Sequence, residues 1–180
     1  MARIIGIAGS LRKGSYNAAL LRAAAERAPA GMEVEIASIA GIPLYDGDLE
    51  SEQGIPDRVT ALKDKIAAAD GLLLVTPEYN NSMPGVLKNA IDWLTRPAKD
   101  IPRVFGDKPV AIMGATPGGG GTRLAQTAWL PVLRTLGTRA WSANSSTSQG
   151  RPRYSTPKAG SSTRRSISSS RNSWPASPHS

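Results

Sequence analysis

Short apolar runs alternate with segments of helical spacing from the first residues onward. Arg3-Ile-Ile-Gly-Ile-Ala8 is a nearly continuous apolar run, the mark of a strand buried on both faces of a parallel sheet. In the segment Ala18 to Ala28, Leu20, Leu21, Ala24, Ala25 and Ala28 fall on one helical stripe that ends near Pro29-Ala-Gly31. Val34 to Ile39 predicts a second strand, placed near the sheet edge because Glu33 and Glu35 alternate with apolar residues. Ile42 to Leu49 reads as a loop from its Pro and Asp-Gly content. Pro56-Asp57 then opens a helix whose Val59, Leu62, Ile66 and Ala69 share a face. Leu72-Leu-Leu-Val75 predicts the most buried strand. The next helix has Pro84 near its first turn and Val86, Leu87, Ala90, Ile91 and Leu94 on its apolar face. Pro109-Val-Ala-Ile-Met113 predicts a fourth strand, and a last helix runs from about Leu124 to Leu136, bent by Pro131 and ended by Gly137. This βαβαβαβα order predicts an open parallel sheet of the α/β class, with its ligand crevice outside the carboxyl ends of the strands at the switch point between the first and third.

Three loops leave those strand ends. The first, Gly9-Ser-Leu-Arg-Lys-Gly-Ser-Tyr-Asn17, is a glycine- and hydroxyl-rich turn into a helix, where unpaired backbone N–H groups suit a phosphate. Ser10 and Ser15 add hydroxyl donors, Arg12 adds a charged fork, and Asn17 can cap the helix or contact the phosphate. Gly9 and Gly14 have the spacing of a P-loop, but Ser15-Tyr16 stands where Lys and Ser/Thr are needed, and the dinucleotide pattern G-x-G-x-x-G is absent. A mononucleotide phosphate pocket is left, beside the plainer reading of a tight βα turn. The second loop, Thr76 to Gly85, is stiffened by Pro77 and offers the polar groups of Tyr79, Asn80 and Asn81. The third, Gly114 to Arg123, holds four consecutive glycines that allow close backbone approach to a ligand. Lys88, Asn89 and Asp92 lie off the apolar stripe of their helix and read as a solvated face or subunit contact, and Trp93 as core or interface.

Length and charge narrow the choice. A chain of 180 residues suits one domain with a real core, and the absence of cysteine excludes disulfides, thiol catalysis and cysteine metal sites. No apolar run approaches ~18 residues and no leader pattern opens the chain, so a soluble, unexported, cytoplasmic protein is expected, with no membrane partner. The net charge of +8 is concentrated in the tail: from Ala140 to Ser180 there are six basic residues and no acidic ones, which leaves 16 basic against 14 acidic residues before it. The folded part is nearly neutral, and a nucleic-acid role for it is unsupported.

The first loop, the segment Pro77-Glu-Tyr-Asn-Asn-Ser-Met-Pro-Gly-Val-Leu-Lys-Asn-Ala-Ile-Asp-Trp93 and the glycine-rich third loop together resemble the NADPH-dependent FMN reductases of the flavodoxin-like superfamily, particularly their bacterial quinone and chromate reductase branch. The resemblance covers Arg3 to about Arg139. It implies a flavodoxin-like doubly wound sheet of order 2-1-3-4(-5) and FMN as cofactor, with NADPH or NADH as co-substrate. By this resemblance Ser10, Arg12, Ser15, Asn17 and Ala18 would hold the FMN phosphate. Pro77, Glu78, Tyr79 and Asn80 would line the isoalloxazine chiefly through backbone atoms, with Thr116, Pro117 and Gly118 along its other edge. Arg12, Tyr79 and Arg123 are candidates for contact with NADPH or an anionic acceptor. Hydride would pass from nicotinamide through flavin N5 to quinones, azo compounds, free flavin or chromate, with no catalytic side chain and no metal required. His179, the single histidine, would be idle. A homodimer or homotetramer is implied. The other classes in play are a flavodoxin-type electron carrier without pyridine-nucleotide activity and a nucleic-acid binder acting through the basic tail.

From Ala140 the pattern departs from the family. Between Trp141 and Ser180 there are 14 serines, and Ile167 is the one residue from the Val/Ile/Leu/Met/Phe set. Such a segment buries too little apolar surface to offset its ordering entropy. The expected organisation is an FMN-binding domain over 1–139 and a disordered Ser/Arg/Pro-rich tail over 140–180, with the fifth strand and last helix missing or non-native. The tail reads either as a linker or basic arm, or, as we favour, as the product of a frameshift near Arg139 to Trp141. Back-translated with GC-rich codons and read one base earlier, Tyr154 to Ser180 can give an amphipathic helix, and the stretch from Trp141 a strand, each where the fold needs it. Sequencing the gene across codons 137 to 145 is expected to reveal the displaced frame, and a verified unbroken frame would sink the idea. A frame-corrected chain is expected to retain flavin better and stay in solution at higher concentration.

Overall fold

A computed structural model of the chain describes residues 1–141; the expectations for the tail, the last helix and the frame beyond Trp141 lie outside the described residues. Strands β1 (Ala2–Ala8), β2 (Met32–Ala37), β3 (Gly71–Val75), β4 (Pro109–Met113) and β5 (Arg139–Trp141) form one parallel sheet in the order β2-β1-β3-β4-β5. The chain passes from β1 outward to β2, then crosses to β3 on the other side, so the switch point lies between β1 and β3. This is the expected flavodoxin-like arrangement. The helices are α1 (Tyr16–Glu26), α2 (Gly47–Gln53), α3 (Asp57–Ala67), α4 (Gly85–Leu94), α5 (Ile101–Phe105) and α6 (Arg123–Thr135).

The periodicity placed the long helices within a few residues. α1 begins two residues earlier than its apolar stripe because Ser15 caps it, its Oγ accepting the Ala18 N–H at 3.2 Å. Two short helices were not expected. Asp46 caps α2 inside the segment read as a loop, and α5 follows a 3₁₀ turn at Ala98–Asp100. Helices of five to seven residues carry too few turns to show a stripe.

The fifth strand, expected to be missing or non-native, is present for three residues, which corrects the expectation of its absence. Arg139 to Trp141 pair with Pro109 to Ala111. Gly137, at φ 70°, turns the chain out of α6, and the Asp107 N–H bonds the Gly137 carbonyl at 2.8 Å while the Arg139 N–H bonds Lys108 O at 2.9 Å. These are backbone contacts, to which side-chain composition is almost irrelevant. Gly6, Leu73, Ala111 and Trp141 stand in one cross-strand row. α1 packs over Gly6, where a Cβ would lie 2.5 Å from Leu21. Further along the row Leu73 and Ala111 are only half-buried, and Trp141 is 71% exposed.

The main core joins Ile5, Ile7, Leu72 and Leu74 of the sheet to α3, α4, α5 and α6, with Trp93, Phe105 and Trp129 fully buried. Trp93 is core, as expected, and its indole N–H donates to Pro43 O at 2.9 Å. Lys88 and Asp92 form an exposed (i, i+4) pair at 2.7 Å, whereas Asn89 is an anchor, donating to Pro43 O and accepting from the Tyr45 N–H. Two lysines are buried. Lys63 donates to Asp100 at 2.6 Å and to Arg96 O. Lys108 donates to Ile66 O at 2.8 Å and Ala69 O at 2.5 Å, satisfying carbonyls at the end of α3, and burial pushes its pKa down.

Two glycines let the strand ends meet. A Cβ on Gly9 would lie 2.8 Å from Leu87 and 3.0 Å from Pro77, and one on Gly114 would lie 2.1 Å from Thr76 O and 2.4 Å from Thr122 Oγ1. Gly114→Ala is therefore expected to cost about 1–3 kcal/mol in urea unfolding, because backbone must move, while Gly119→Ala, with open space around it, stays near wild type. Equal midpoints for the two would contradict this.

Electrostatics shape the acid limb of stability. Lys65 and then Arg3, both hydrogen-bonded to Glu35, hold its carboxyl below the ordinary value of 4.5. Arg96 does the same for Glu50, and Lys63 for Asp100. A depressed folded pKa gives stability that is complete above the unfolded value and is lost as pH falls through the folded one. Glu35→Gln is thus expected to lower the urea midpoint at pH 7 and to shrink its drop between pH 7 and pH 3. An unchanged drop would exclude a role for this pair.

Candidate functional site

The loops after β1, β3 and β4 converge outside the switch point and enclose an open cleft. The first loop contributes Ser10, Arg12, Ser15, Tyr16 and Asn17, the second Pro77, Glu78 and Tyr79, and the third Ala115, Thr116 and Pro117. Of the residues singled out from sequence, Asn80, Ala18, Gly118 and Arg123 do not line it.

The first wall is the turn from β1 into the N-terminus of α1. The Ser15 N–H bonds Arg12 O at 3.1 Å and tightens the loop, while Ser15 Oγ takes the Ala18 N–H. Ala18 is thereby engaged, and the N–H groups of Tyr16 and Asn17 have no protein acceptor among the described residues. They stand at the positive end of an 11-residue helix. The Arg12 guanidinium lies 5.5 Å from the Tyr16 ring centroid, which gives it a face to rest on at the rim. The buried Asn17 side chain turns to the third loop instead of the cleft: Nδ2 donates to Ala115 O at 3.0 Å and Oδ1 accepts the Ala115 N–H at 2.9 Å. This closed pair fastens the start of α1 to the end of β4.

The second wall is a miniature hairpin. Tyr79 and Ser82 exchange both backbone hydrogen bonds at 3.0 Å, and the residues between them, Asn80 and Asn81, have φ of 50° and 61°. Asparagine tolerates this left-handed conformation, and two such residues make a type I′ turn. The Asn-Asn dipeptide was the available signal for it. The hairpin leaves Tyr79 half-exposed, with its hydroxyl 3.4 Å from Ser10 Oγ across the cleft. Glu78 presents its backbone to the cleft region while its Oε2 accepts the N–H groups of Leu124 and Ala125 at 2.9 and 3.1 Å. Thr76, fully buried, accepts the Trp129 indole N–H at 3.2 Å. Two positions of one loop, Glu78 and Thr76, therefore grip α6 at its first and second turns.

The third wall runs from Ala115 to Pro117 and continues into the glycines, around which nearly all space is open. Of the four, Gly121 has the positive φ that favours glycine, 67°. Arg123 is exposed at the first position of α6. Sequence reading found all three loops and missed their fastenings, since Asn17 and Glu78 bond residues 98 and 46 positions away.

Known proteins share this sequence and fold. The family model described as NADPH-dependent FMN reductase matches residues 2–150. The chain is 52% identical over 124 residues to a Pseudomonas aeruginosa NAD(P)H-dependent FMN reductase, PA1204, a match covering 69% of this chain and 65% of that protein. It is 50% identical over 117 residues to the quinone reductase of Escherichia coli, covering 64% and 61%. The chain thus spans just under two thirds of the length of these curated relatives. Among solved structures, FerB of Paracoccus denitrificans, a flavoenzyme NAD(P)H:(acceptor) oxidoreductase, superposes with a TM-score of 0.73 at 38% identity, over 80% of this chain and 77% of that one. No helix among the described residues is long and apolar enough to cross a membrane. By the family match across its whole described length, the chain belongs to the NADPH-dependent FMN reductase family.

Proposed function

We propose that this protein is an FMN-dependent NAD(P)H oxidoreductase whose acceptors are quinones, free flavin, azo compounds or chromate. The observation that carries the reading is the convergence of an anion-binding helix N-terminus and a backbone-rich slot at one switch point. Family membership and the quinone and FMN reductase activities named for its relatives support it. The donor set fits a flavin mononucleotide. The free N–H groups of Tyr16 and Asn17, the Ser10 hydroxyl and the Arg12 guanidinium suit a phosphate dianion. The segment from Pro77 to Tyr79 lines the cleft together with Thr116 and Pro117, a slot suited to a planar ring.

When bound, FMN supplies the redox chemistry, accepting hydride from a pyridine nucleotide and delivering it to the acceptor. The chain's own work is to bind and orient. Arg12 neutralises phosphate and, being exposed at the rim, attracts anionic co-substrates together with Arg123. Tyr79, half-exposed beside Ser10, is placed to flank whatever stacks in the cleft. We assign Ser10, Arg12 and the first turn of α1 to the phosphate and Pro77 to Asn80 with Thr116 and Pro117 to the ring. Ser15 and Asn17 act by holding the turn, and Ala18 and Gly118 lie outside the cleft lining. Residues 1–139 form the cofactor-binding unit. Leu11, Tyr16, Tyr79 and Val86 are apolar or aromatic and exposed, which supports a homo-oligomer formed near the cleft; a cytoplasmic location accords with a cysteine-free chain.

The purified full chain with FMN is expected to show a flavin absorbance spectrum that bleaches when NADPH or NADH is added without oxygen. A yellow protein that leaves both nucleotides unoxidised would be an electron carrier instead. Arg12→Ala is expected to weaken FMN binding about tenfold or more, the usual loss for a charge-assisted phosphate contact, measured by quenching of flavin fluorescence.

A further inference from the structure

We propose that Glu78 is a positioning residue for the cofactor cleft, acting through α6 to set where the glycine-rich loop lies. The assignment rests on the flavin reading above and concerns a side chain that reading leaves without a task. α6 does not cap itself. Its N-cap residue, Thr122, makes no side-chain cap bond, and its buried hydroxyl accepts the Gln126 amide at 3.0 Å. The Leu124 and Ala125 N–H groups would be left without acceptors if Glu78 did not reach them from the neighbouring loop. A carboxylate at this end of the helix is also favoured by the helix dipole.

The consequence lies upstream of α6. Residues 118–121 are all glycine, the most flexible sequence a loop can have, and hardly any neighbour would touch a side chain there. The two hydrogen bonds along the glycines, from the Gly118 N–H to Thr116 Oγ1 at 3.4 Å and from the Gly121 N–H to Gly118 O at 3.3 Å, are long and local to the loop, so its path over the cleft is fixed from the ends. One end is Ala115, locked by its two hydrogen bonds with Asn17, and the other is the start of α6, locked by Glu78. Releasing the second anchor lengthens the free segment, and ordering a longer free segment against the cofactor weakens binding. The charge of Glu78 is not what the role requires. An amide oxygen in the same place can accept the same two N–H bonds, so glutamine should substitute for glutamate.

The full chain and its Glu78→Ala and Glu78→Gln variants are compared by amide hydrogen exchange over residues 123–126 and by FMN titration. E78A is expected to speed exchange there and to weaken FMN about three- to tenfold, the loss expected of a missing helix cap, while E78Q stays within about twofold of wild type in both. Should E78A not fold, E78D carries the same test, since its arm is one methylene too short to hold both N–H groups. The proposal is overturned if E78A changes neither readout, if it speeds exchange without touching FMN affinity, or if E78Q is as impaired as E78A, which would make the charge the active feature. A wild-type chain that takes up no FMN overturns the flavin reading and this assignment together, whereas tight wild-type binding with an unaffected E78A overturns this assignment alone.

Discussion

The cleft depends on two glycines at strand ends, where the chain passes its neighbours too closely for any side chain to fit. At Gly114 the chain leaves β4 so close to Thr76 O that a single methyl group would overlap it, and at Gly9 the chain leaves β1 against Leu87 and Pro77. Parallel strands bring their carboxyl ends to one edge, but loops of ordinary side chains would keep those ends several ångströms apart. Two missing Cβ atoms remove that spacing. The three loops then form one site instead of three separate turns, and the polar groups of one come within reach of the next.

Once the loops touch, their polar side chains divide between two tasks. Asn17, Glu78, Thr76 and Ser15 are engaged with protein: Asn17 with Ala115, Glu78 with α6, Thr76 with Trp129, and Ser15 with its own helix. A buried polar side chain with a good partner rigidifies its surroundings, and one without a partner is costly. No buried side-chain polar atom among the described residues lacks a partner. The groups left for a ligand are backbone N–H groups, exposed hydroxyls and a rim arginine. This division explains why the family's loops can carry many polar residues while leaving redox chemistry to the cofactor.

The fold was largely legible because it depends on periodicity. The strands β1 to β4, the long helices and the edge position of β2 all follow from where apolar residues recur. The position of the cleft followed from topology alone. The roles of individual residues followed less well, because they depend on partners brought close only by folding. Asn17 looks like a phosphate ligand in its own loop, and its partner is almost 100 residues away. Glu78 looks like one more polar residue beside a proline until α6 arrives. The four glycines drew notice as a run, whereas the single glycine at the end of β4 bears the tighter contact. β5 was missed for the opposite reason. Its composition is poor, but three residues of edge strand need little more than backbone groups and a neighbour.

Among the described residues the site also stands apart from the sheet margin at β5. Every residue lining the cleft comes from the loops after β1, β3 and β4, and β5 supplies none. β1 and β3 are paired on both sides, and β4 is paired to β5 over three residues. What changes toward β5 is cover: along the row Gly6, Leu73, Ala111 and Trp141, burial is complete beneath α1, partial at the middle strands and nearly lost at Trp141. Apolar surface at a sheet margin costs stability and invites association, yet it lies on the face and edge of the sheet and not at the strand ends where the loops meet. The thin cover at β5 therefore bears on how well the sheet holds together, and only through the sheet on the cleft that the loops enclose.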